Sequence, residues 1–582
     1  MKSPQINIQK RETLISLLGL FIILGSTILL YKSVPDFGWI TGLDQELLIE
    51  NRLVYYFNSS NVTDMFFSAT AGRYEPLTFL SYSIDIGMGG EDAIRTIHLM
   101  NLILHLLNII ILFRLVKLMS NKVMPALIAS LIFALHPLNL DAVAWLSARN
   151  TLLCAFFFLS ALLSYVYYLK QAKTAYRNIS VIFFLLALLS NIMAVLYPFA
   201  LIVLDQIEGK ELKKSASEKV FLFILSLVFL IIALLSAEGQ QDIEVAYPLL
   251  SFAPGLFLLK YFVPLGISGL HQLPFQHGIW QAASLTYIPF MGLAALTGWA
   301  FCYYYKLSRK SRYFHVLIAM GFAVWMVWIA WTSVQRLPDW KSSASYWNRV
   351  IELYPEDFQA YFYRGDHWAM NADFEKAKFD YTRSIMLNDN SYKAMNNLGL
   401  IYLQEKALRL ALAEFSNSIR VNEDFYKAHL NRGLTYMRIG KNELAMENMD
   451  RAIELNPDEP LAYYNRGLIF ERANLLDQAI EDFSRAIRLD PYKYVFYKDR
   501  GKAFVWTQRF QEAELDFSRA LELDPSDPEM WFRRSLARVS QNKFEAGLED
   551  AIIAQSLGFP VTEDYIKGLT VQILELDSIR IE

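Results

Sequence analysis

The chain has 582 residues, a formal net charge of −3 and 54% hydrophobic residues. Residues 1–335 carry 23 basic and 18 acidic side chains, whereas residues 336–582 carry 32 and 40. This division predicts an apolar membrane half joined to an acidic soluble half, and it excludes a basic nucleic-acid-binding surface. The two cysteines of the sequence lie in apolar runs, which excludes a disulfide framework and a cysteine-based zinc site.

The first half reads as a polytopic membrane domain. Residues 12–31 are long and apolar enough to cross a bilayer, and we interpret them as a signal anchor that is not cleaved. The run at 179–205 is too long for one span, so Pro198 predicts that it splits into two short helices. We expect about 9–11 spans in total. The later apolar runs lie near 97–116, 123–136, 151–169, 179–205, 219–236, 250–270, 285–305 and 314–334.

The distribution of Lys and Arg predicts which side of the membrane each loop faces. Basic clusters alternate with segments that are poor in Lys and Arg, and the first cluster precedes residue 12. Because positive loops stay in the cytoplasm, we expect the N-terminus inside and residues 336–582 outside. The loop at 32–96 is then a large outer loop.

The second half carries an internal repeat of 34 residues. A glycine recurs with this period, an alanine follows each glycine by twelve residues, and small residues at such positions allow two helices to cross. The pattern predicts six tetratricopeptide repeats over 358–559, a junction with a half-repeat at 336–357, and a capping helix at 560–582. The glycines are Gly365, Gly399, Gly433, Gly467 and Gly501.

One position of the repeat, two residues before the glycine, reads Asn397, Asn431 and Asn465. Asparagine amides both donate and accept hydrogen bonds, so three in register can bind the backbone of an extended peptide. Arg432 and Arg466 follow two of them and extend this candidate peptide-binding surface. Alternatively, Asn-Arg-Gly is common in such repeats, and the array binds a protein elsewhere or serves as a spacer.

The outer loop contains two acids close behind the first span, Asp44 and Glu46. A carboxylate at this place can accept a proton from an incoming hydroxyl group. The pair could also bind a divalent cation, although two carboxylates make a weak cation site. The alternative is that both are ordinary solvated charges, and we assign no metal ligands.

The segment at 133–153 supplies a candidate anion site on the same side. Asp141, Trp145 and Arg149 are spaced by four residues, which predicts that they share one face of a helix. Arg149 at the interface can clamp a phosphate, or it can simply pair with Asp141. His136 precedes this segment. Lys260 lies in an apolar run, where a lysine is costly unless it is paired or faces a wet cavity.

These blocks, in this order, resemble the transmembrane-and-TPR O-mannosyltransferases. The stretches that carry the resemblance include LDQELLIEN (43–51), YEPLTFLSYSIDIG (74–87), FALHPLNLDAVAWLSARNTLL (133–153) and RLPDW (336–340). The resemblance implies an all-α protein with a GT-C-like membrane domain followed by a tetratricopeptide α-solenoid. It also implies transfer of a sugar, typically mannose, from a polyprenyl-phosphate lipid to protein hydroxyls on the non-cytoplasmic side.

By matching position, the resemblance implies Asp44 as the base and Arg149 with Lys260 as the phosphate clamp. His136 or Asp141 would support that clamp. The repeats would present the acceptor protein or peptide, and the protein would contact membrane lipid and its polyprenyl-phosphate donor.

The sequence departs from this family in ways that keep a second function open. Leu43 and Gln45 flank Asp44 where a second acid is common, Asn150 and Thr151 replace a Lys-Asp pair, and Asn191 replaces a lysine. The alternative function is a non-catalytic, membrane-anchored scaffold that recruits periplasmic partners. We expect a bacterial inner-membrane protein with periplasmic repeats, or alternatively an endoplasmic reticulum protein with luminal repeats.

Overall fold

The computed structural model describes residues 4–49, 51–55, 57–69, 72–236, 261–262, 287–308 and 312–581. These residues form α-helices joined by short 3-10 and π-helical turns, and no β-strand occurs among them. The chain divides into two compact units, Met1–His367 and Trp368–Glu582. The predicted all-α architecture, with apolar helices first and a helical repeat second, is confirmed.

The first unit begins with a long apolar helix and continues with helices of very different lengths. Short helical turns connect them at Val34–Asp36, Gln45–Ile49, Gly90–Asp92, Pro137–Asn139, Leu146–Ala148, Ile192–Leu196 and Leu337–Trp340. The α-helices are α1 (Pro4–Tyr31), α2 (Arg52–Tyr55), α3 (Ser59–Phe67), α4 (Pro76–Gly89), α5 (Ala93–Ser120), α6 (Val123–Leu135), α7 (Leu140–Ala144), α8 (Arg149–Gln171), α9 (Thr174–Leu188), α10 (Tyr197–Ile207), α11 (Leu212–Glu218), α12 (Val220–Ser236), α13 (Tyr287–Leu307), α14 (Arg312–Arg336) and α15 (Ser343–Leu353).

Four segments of the described chain are long and apolar enough to cross a membrane, and up to six are if each bent helix pair counts as one span. The four are Lys10–Asp36, Pro76–Ser120, Leu146–Gln171 and Tyr313–Trp340. The run predicted at 250–270 lies outside the described residues apart from 261–262. The total of 9–11 spans therefore stays a prediction.

The first unit differs from the sequence-based expectations at two places. The run at 179–205 forms two short apolar helices as predicted, but the break falls at residues 189–191, and Pro198 lies in the first turn of α10. Proline is favourable there because the first turn needs no donor from it. The loop predicted at 32–96 contains α4, an apolar helix that leads into α5.

The second half consists of helix pairs that pack against each other in sequence order. Small residues occupy the crossings, as the 34-residue period predicts. A Cβ atom added at Gly467 would lie 2.7 Å from the ring of Phe483, which belongs to the second helix of the pair. The helices are Phe358–Met370, Phe374–Leu387, Tyr392–Gln404, Leu408–Val421, Tyr426–Ile439, Asn442–Leu455, Pro460–Arg472, Leu476–Leu489, Tyr494–Trp506, Phe510–Leu523, Pro528–Val539, Phe544–Ser556 and Glu563–Ile581.

The turn inside each pair contains one residue in the left-handed conformation. These residues recur every 34 positions, and Gly440 is the glycine of the series. Residues with a Cβ atom are sterically strained in this conformation, whereas glycine is not. The residues with positive φ are Ala372, Lys406, Gly440, Asn474, Gln508 and Asn542.

We predict that Gln508→Gly stabilises the repeats by about 1 kcal/mol, because φ at this position is +59°. The same substitution at Gln478, inside a helix, should lower stability by about 1 kcal/mol. Amide hydrogen exchange of the full-length protein measures both effects in the helices on either side of each site. Equal destabilisation by the two substitutions would contradict the prediction.

Candidate functional site

Asp44 lies in the turn that precedes the π-helical segment Gln45–Ile49, and its side chain is fully buried. Its Oδ2 accepts a hydrogen bond from the backbone N–H of Ile40 at 2.7 Å. Its Oδ1 accepts from the indole N–H of Trp145 at 2.9 Å. Ser147 donates to the same oxygen through its backbone N–H at 3.1 Å and its hydroxyl at 2.5 Å. Four donors therefore surround this carboxylate.

The surroundings of Asp44 change its proton affinity. Burial raises the pKa of Asp44 to about 6, although hydrogen bonds from Ser147, Ile40 and Trp145 act in the opposite direction. A carboxyl group with this pKa is mostly ionised at neutral pH and is a stronger base than an exposed aspartate.

The prediction that Asp141, Trp145 and Arg149 share one helical face is wrong. Helix α7 ends at Ala144, Trp145 is extended with φ −77° and ψ 125°, and α8 begins at Arg149. The break allows the indole of Trp145 and the amide of the second residue after it to reach Asp44, which compensates for lost helical hydrogen bonds.

Arg149 is buried beside this turn and pairs with an acid that the sequence analysis did not single out. One Nη2–H donates to Asp85 at 2.7 Å, and the other donates to the carbonyl of Ile97 at 2.9 Å. Nε donates to Asn101 at 2.5 Å, and Nη1 makes a longer contact of 3.4 Å with Ser81. The guanidinium therefore uses four of its five N–H groups within the described protein.

Glu75 is a second buried acid that the sequence analysis missed. Both of its carboxylate oxygens accept from the side-chain amide of Asn150, at 2.9 and 3.1 Å. Burial raises the pKa of Glu75, and the charge of Arg73 opposes this effect. The available signal was an acid at each end of the apolar run 76–84, because charges are costly there unless they are paired.

The remaining predicted residues of the first unit have separate surroundings. The Nδ1 atom of His136 accepts from the N–H of Leu138 at 3.2 Å, and its Nε2 lies 3.0 Å from the carbonyl of Tyr261. Asp141 occupies the first turn of α7 and acts electrostatically on Arg336. Lys260 and the side chain of Glu46 lie outside the described part of the structure.

In the repeats, the predicted arginines bind other side chains of the array. Arg466 donates to Asp482, 16 residues ahead, at 2.8 Å, and to Asp450, 16 residues behind, at 2.8 Å. Arg432 donates at the same two spacings, to Asn448 ahead of it and to Ser416 behind it. Each arginine thus joins the first helix of its repeat to the second helix of the same repeat and to the second helix of the preceding repeat.

The same pattern continues in the next two repeats. There the arginines pair with acids 16 residues ahead and donate to serines 16 residues behind. These contacts are Arg500 with Asp516 and Ser484, and Arg534 with Asp550 and Ser518.

The predicted asparagines differ in their hydrogen-bond partners and in their burial. Asn431 donates to the side chain of Asn396 at 2.9 Å, and Asn396 donates to Asn397 at 3.1 Å. Asn465 is buried, with 9% of its surface exposed. Peptide binding by these residues stays a prediction. No group of three or more His, Cys, Asp or Glu side chains that could hold a metal occurs among the residues the structure describes.

We predict that Arg149→Gln lowers the free energy of unfolding by about 3–5 kcal/mol, because it leaves the buried carboxylate of Asp85 without its cation. The matched control is Arg95→Gln, which removes a pair with Asp36 whose side chains are 65% and 68% exposed. That change should cost less than about 1 kcal/mol. Denaturant unfolding in detergent measures both, and equal losses would contradict the prediction.

Residues 430–494 and 498–554 match the family model for the tetratricopeptide repeat. The solved structures that resemble the chain include YrrB, a TPR protein with an unusual peptide-binding site. It is 19% identical, with a TM-score of 0.28, and the match covers 34% of this chain and 99% of that one. MamA is 24% identical, with a TM-score of 0.26 and coverage of 28% and 96%.

Three curated relatives share a shorter region with the chain. Human protein O-mannosyl-transferase TMTC3 is 39% identical over 93 residues, which is 16% of this chain and 10% of the relative. Protein O-mannosyl-transferase Tmtc2 of Drosophila melanogaster is 29% identical over 107 residues, which is 18% of this chain and 11% of the relative. The matched region thus spans about a tenth of these relatives. The chain is thus similar to TMTC O-mannosyltransferases over this shared region, and it carries tetratricopeptide repeats in its C-terminal half.

Proposed function

We propose that this protein is a membrane glycosyltransferase of the GT-C type. It transfers a sugar, expected to be mannose, from a polyprenyl-phosphate lipid to hydroxyl groups of proteins on the non-cytoplasmic side. The observation that carries the proposal is the buried carboxylate of Asp44, which has a raised pKa and accepts hydrogen bonds from Trp145 and from Ser147, two residues before Arg149. The partial relatives, which are named as O-mannosyltransferases, support the same reaction class.

In this proposal Asp44 is the general base. The hydroxyl of Ser147 donates to Oδ1 at 2.5 Å, so the carboxylate already binds a hydroxyl in the geometry that proton transfer needs. An acceptor hydroxyl that replaced Ser147 would give its proton to Asp44 as its oxygen attacks the sugar carbon. The bond from that carbon to the lipid phosphate then breaks, and the phosphate leaves with the electron pair.

The leaving phosphate requires a positive charge near it. Arg149 keeps one Nη1–H that no described residue binds at short range, and its other donors are fixed by Asp85, Asn101 and Ile97. We therefore assign Arg149 a single contact to the phosphate rather than a bidentate clamp. Lys260 supplies the second cation in the proposal, and His136 and Asp141 support the surrounding turn.

The repeats complete the proposal as the part that presents the acceptor. Asn397, Asn431 and Asn465 would contact the peptide, whereas the arginines stabilise the array itself. The apolar helices of the first unit support a membrane location. We propose the bacterial inner membrane with periplasmic repeats, and the endoplasmic reticulum with luminal repeats as the alternative.

One observation favours a second function. Asp44 is fully buried and its two oxygens accept four hydrogen bonds, which is also the environment of a purely structural carboxylate. In that case the protein is a membrane-anchored scaffold whose repeats recruit partners.

The deciding experiment is transfer of radiolabelled mannose from polyprenyl-phosphate mannose to protein acceptors. We predict that Asp44→Asn lowers the transfer rate by about 10²–10⁴-fold, because the amide cannot accept the proton. The control is Asp36→Asn, which changes an exposed acid of the same loop and should leave the rate unchanged. No transfer by the wild type with any of several polyprenyl-phosphate sugars would favour the scaffold.

The pH dependence gives an independent test of the base. The active form of Asp44 is ionised, so we predict that kcat/KM is constant above the pKa of about 6 and falls about tenfold per pH unit below it. A rate profile that is flat between pH 5 and 8 would exclude Asp44 as the base.

A further inference from the structure

Thr41 ties the Asp44 turn to residues more than 300 positions later in the same unit. Its N–H donates to the hydroxyl of Ser343 at 2.8 Å, and its hydroxyl donates to the carbonyl of Tyr363 at 2.7 Å. Its carbonyl accepts from the indole N–H of Trp347 at 3.2 Å. Thr41 is 1% exposed, so all three of its polar groups obtain their hydrogen bonds from segment 343–363.

The residues on either side of Thr41 make the same connection. The hydroxyl of Ser343 donates to the carbonyl of Trp39 at 3.2 Å, and the N–H of Gly38 donates to the carbonyl of Lys341 at 3.0 Å. Gly42 has φ +78°, and a Cβ atom there would lie 2.3 Å from the ring of Tyr363. Glycine is therefore required at 42 both by its conformation and by this close approach.

One donor to each oxygen of Asp44 adjoins this contact. Oδ2 is bound by the N–H of Ile40, which directly precedes Thr41. Oδ1 is bound by the indole of Trp145, which stacks on Trp340 with ring centroids 6.3 Å apart. Segment 340–363 thus supports the donors on both sides of the carboxylate.

The supporting segment is itself rigidly built. Ser342 and Ser345 form a reciprocal capping box at the start of α15, which fixes the position of Ser343. Trp347 is fully buried and stacks on the ring of Tyr363 with centroids 5.0 Å apart. The segment therefore presents Thr41 with donors and acceptors that are already in place.

We propose that Ser343, Trp347 and Tyr363 are positioning residues for Asp44, so that the junction and the first helix of the predicted repeat array form a wall of the site. The claim that these residues assist catalysis rests on the proposed function, whereas the claim that they hold Asp44 in place does not. The segment that follows the last apolar helix, α14, would then hold the base in position, in addition to any role in presenting the acceptor.

The first test measures amide hydrogen exchange of the full-length protein in detergent. Trp347→Phe removes one indole donor, and Thr41→Val removes one hydroxyl with little change of shape. Both should accelerate exchange at residues 40–48 by about tenfold or more, because each removes one of the three hydrogen bonds that hold the buried Thr41. Thr41→Ser, which keeps the hydroxyl, and Trp506→Phe, on an exposed tryptophan of the repeats, should match the wild type.

Unchanged exchange at 40–48 in both Trp347→Phe and Thr41→Val would overturn the inference. Acceleration spread evenly over all helices would also overturn it, because a general loss of stability is not positioning. Thr41→Val is nearly isosteric with the native residue, and Thr41→Ser removes only a methyl group. This pair therefore decides the matter even if the tryptophan variant fails to fold.

The second test uses the transfer reaction. Trp347→Phe should lower kcat with little change in KM, and the acidic limb of the pH–rate profile should move to higher pH. The reason is that the hydrogen bond from Ile40 lowers the pKa of Asp44, and a loosened turn weakens it. If the wild type transfers no sugar, the proposed function fails, while the exchange experiment still decides whether segment 343–363 positions Asp44.

Discussion

The first unit depends on the removal of one negative charge from water. A carboxylate without water must be surrounded by hydrogen-bond donors, and Asp44 obtains them from Ile40 and from the turn that contains Trp145 and Ser147. Three of the four donors come from the place where the chain leaves helix α7 at Trp145, before α8 begins at Arg149. This restart places a guanidinium inside the protein, and Asp85 then has to neutralise it. The burial of Asp44 is thus linked to the break between α7 and α8 and to the buried Arg149–Asp85 pair.

In the repeats, too, charged side chains are supplied with hydrogen-bond partners, but the partners are arranged differently. There partly exposed arginines bind acids, amides and hydroxyls at fixed distances along the sequence. The acids opposite them are largely buried; Asp482 and Asp516, for example, are each 5% exposed. Charge pairing in the array is therefore periodic, whereas in the first unit it depends on contacts between distant segments.

This difference explains what could be predicted from the sequence. The helices of the array follow from a period of 34 residues, because each contact is local and repeats. The turn at Trp145 could not be predicted in this way: a spacing of four residues favours a continuous helix, and the competing partner, Asp44, lies about a hundred positions away. Asp85 and Glu75 were overlooked for the same reason, since their partners are known only once the fold is known.

The arginine contacts also bear on how such an array can change in evolution. Because each arginine binds residues 16 positions ahead and 16 behind, a block of 34 residues carries a complete set of partners for its neighbours. Recombination that adds or removes whole blocks keeps every guanidinium paired, whereas a partial block leaves one facing the wrong helix. A change in the length of the array by whole repeats therefore preserves the arginine contacts within it.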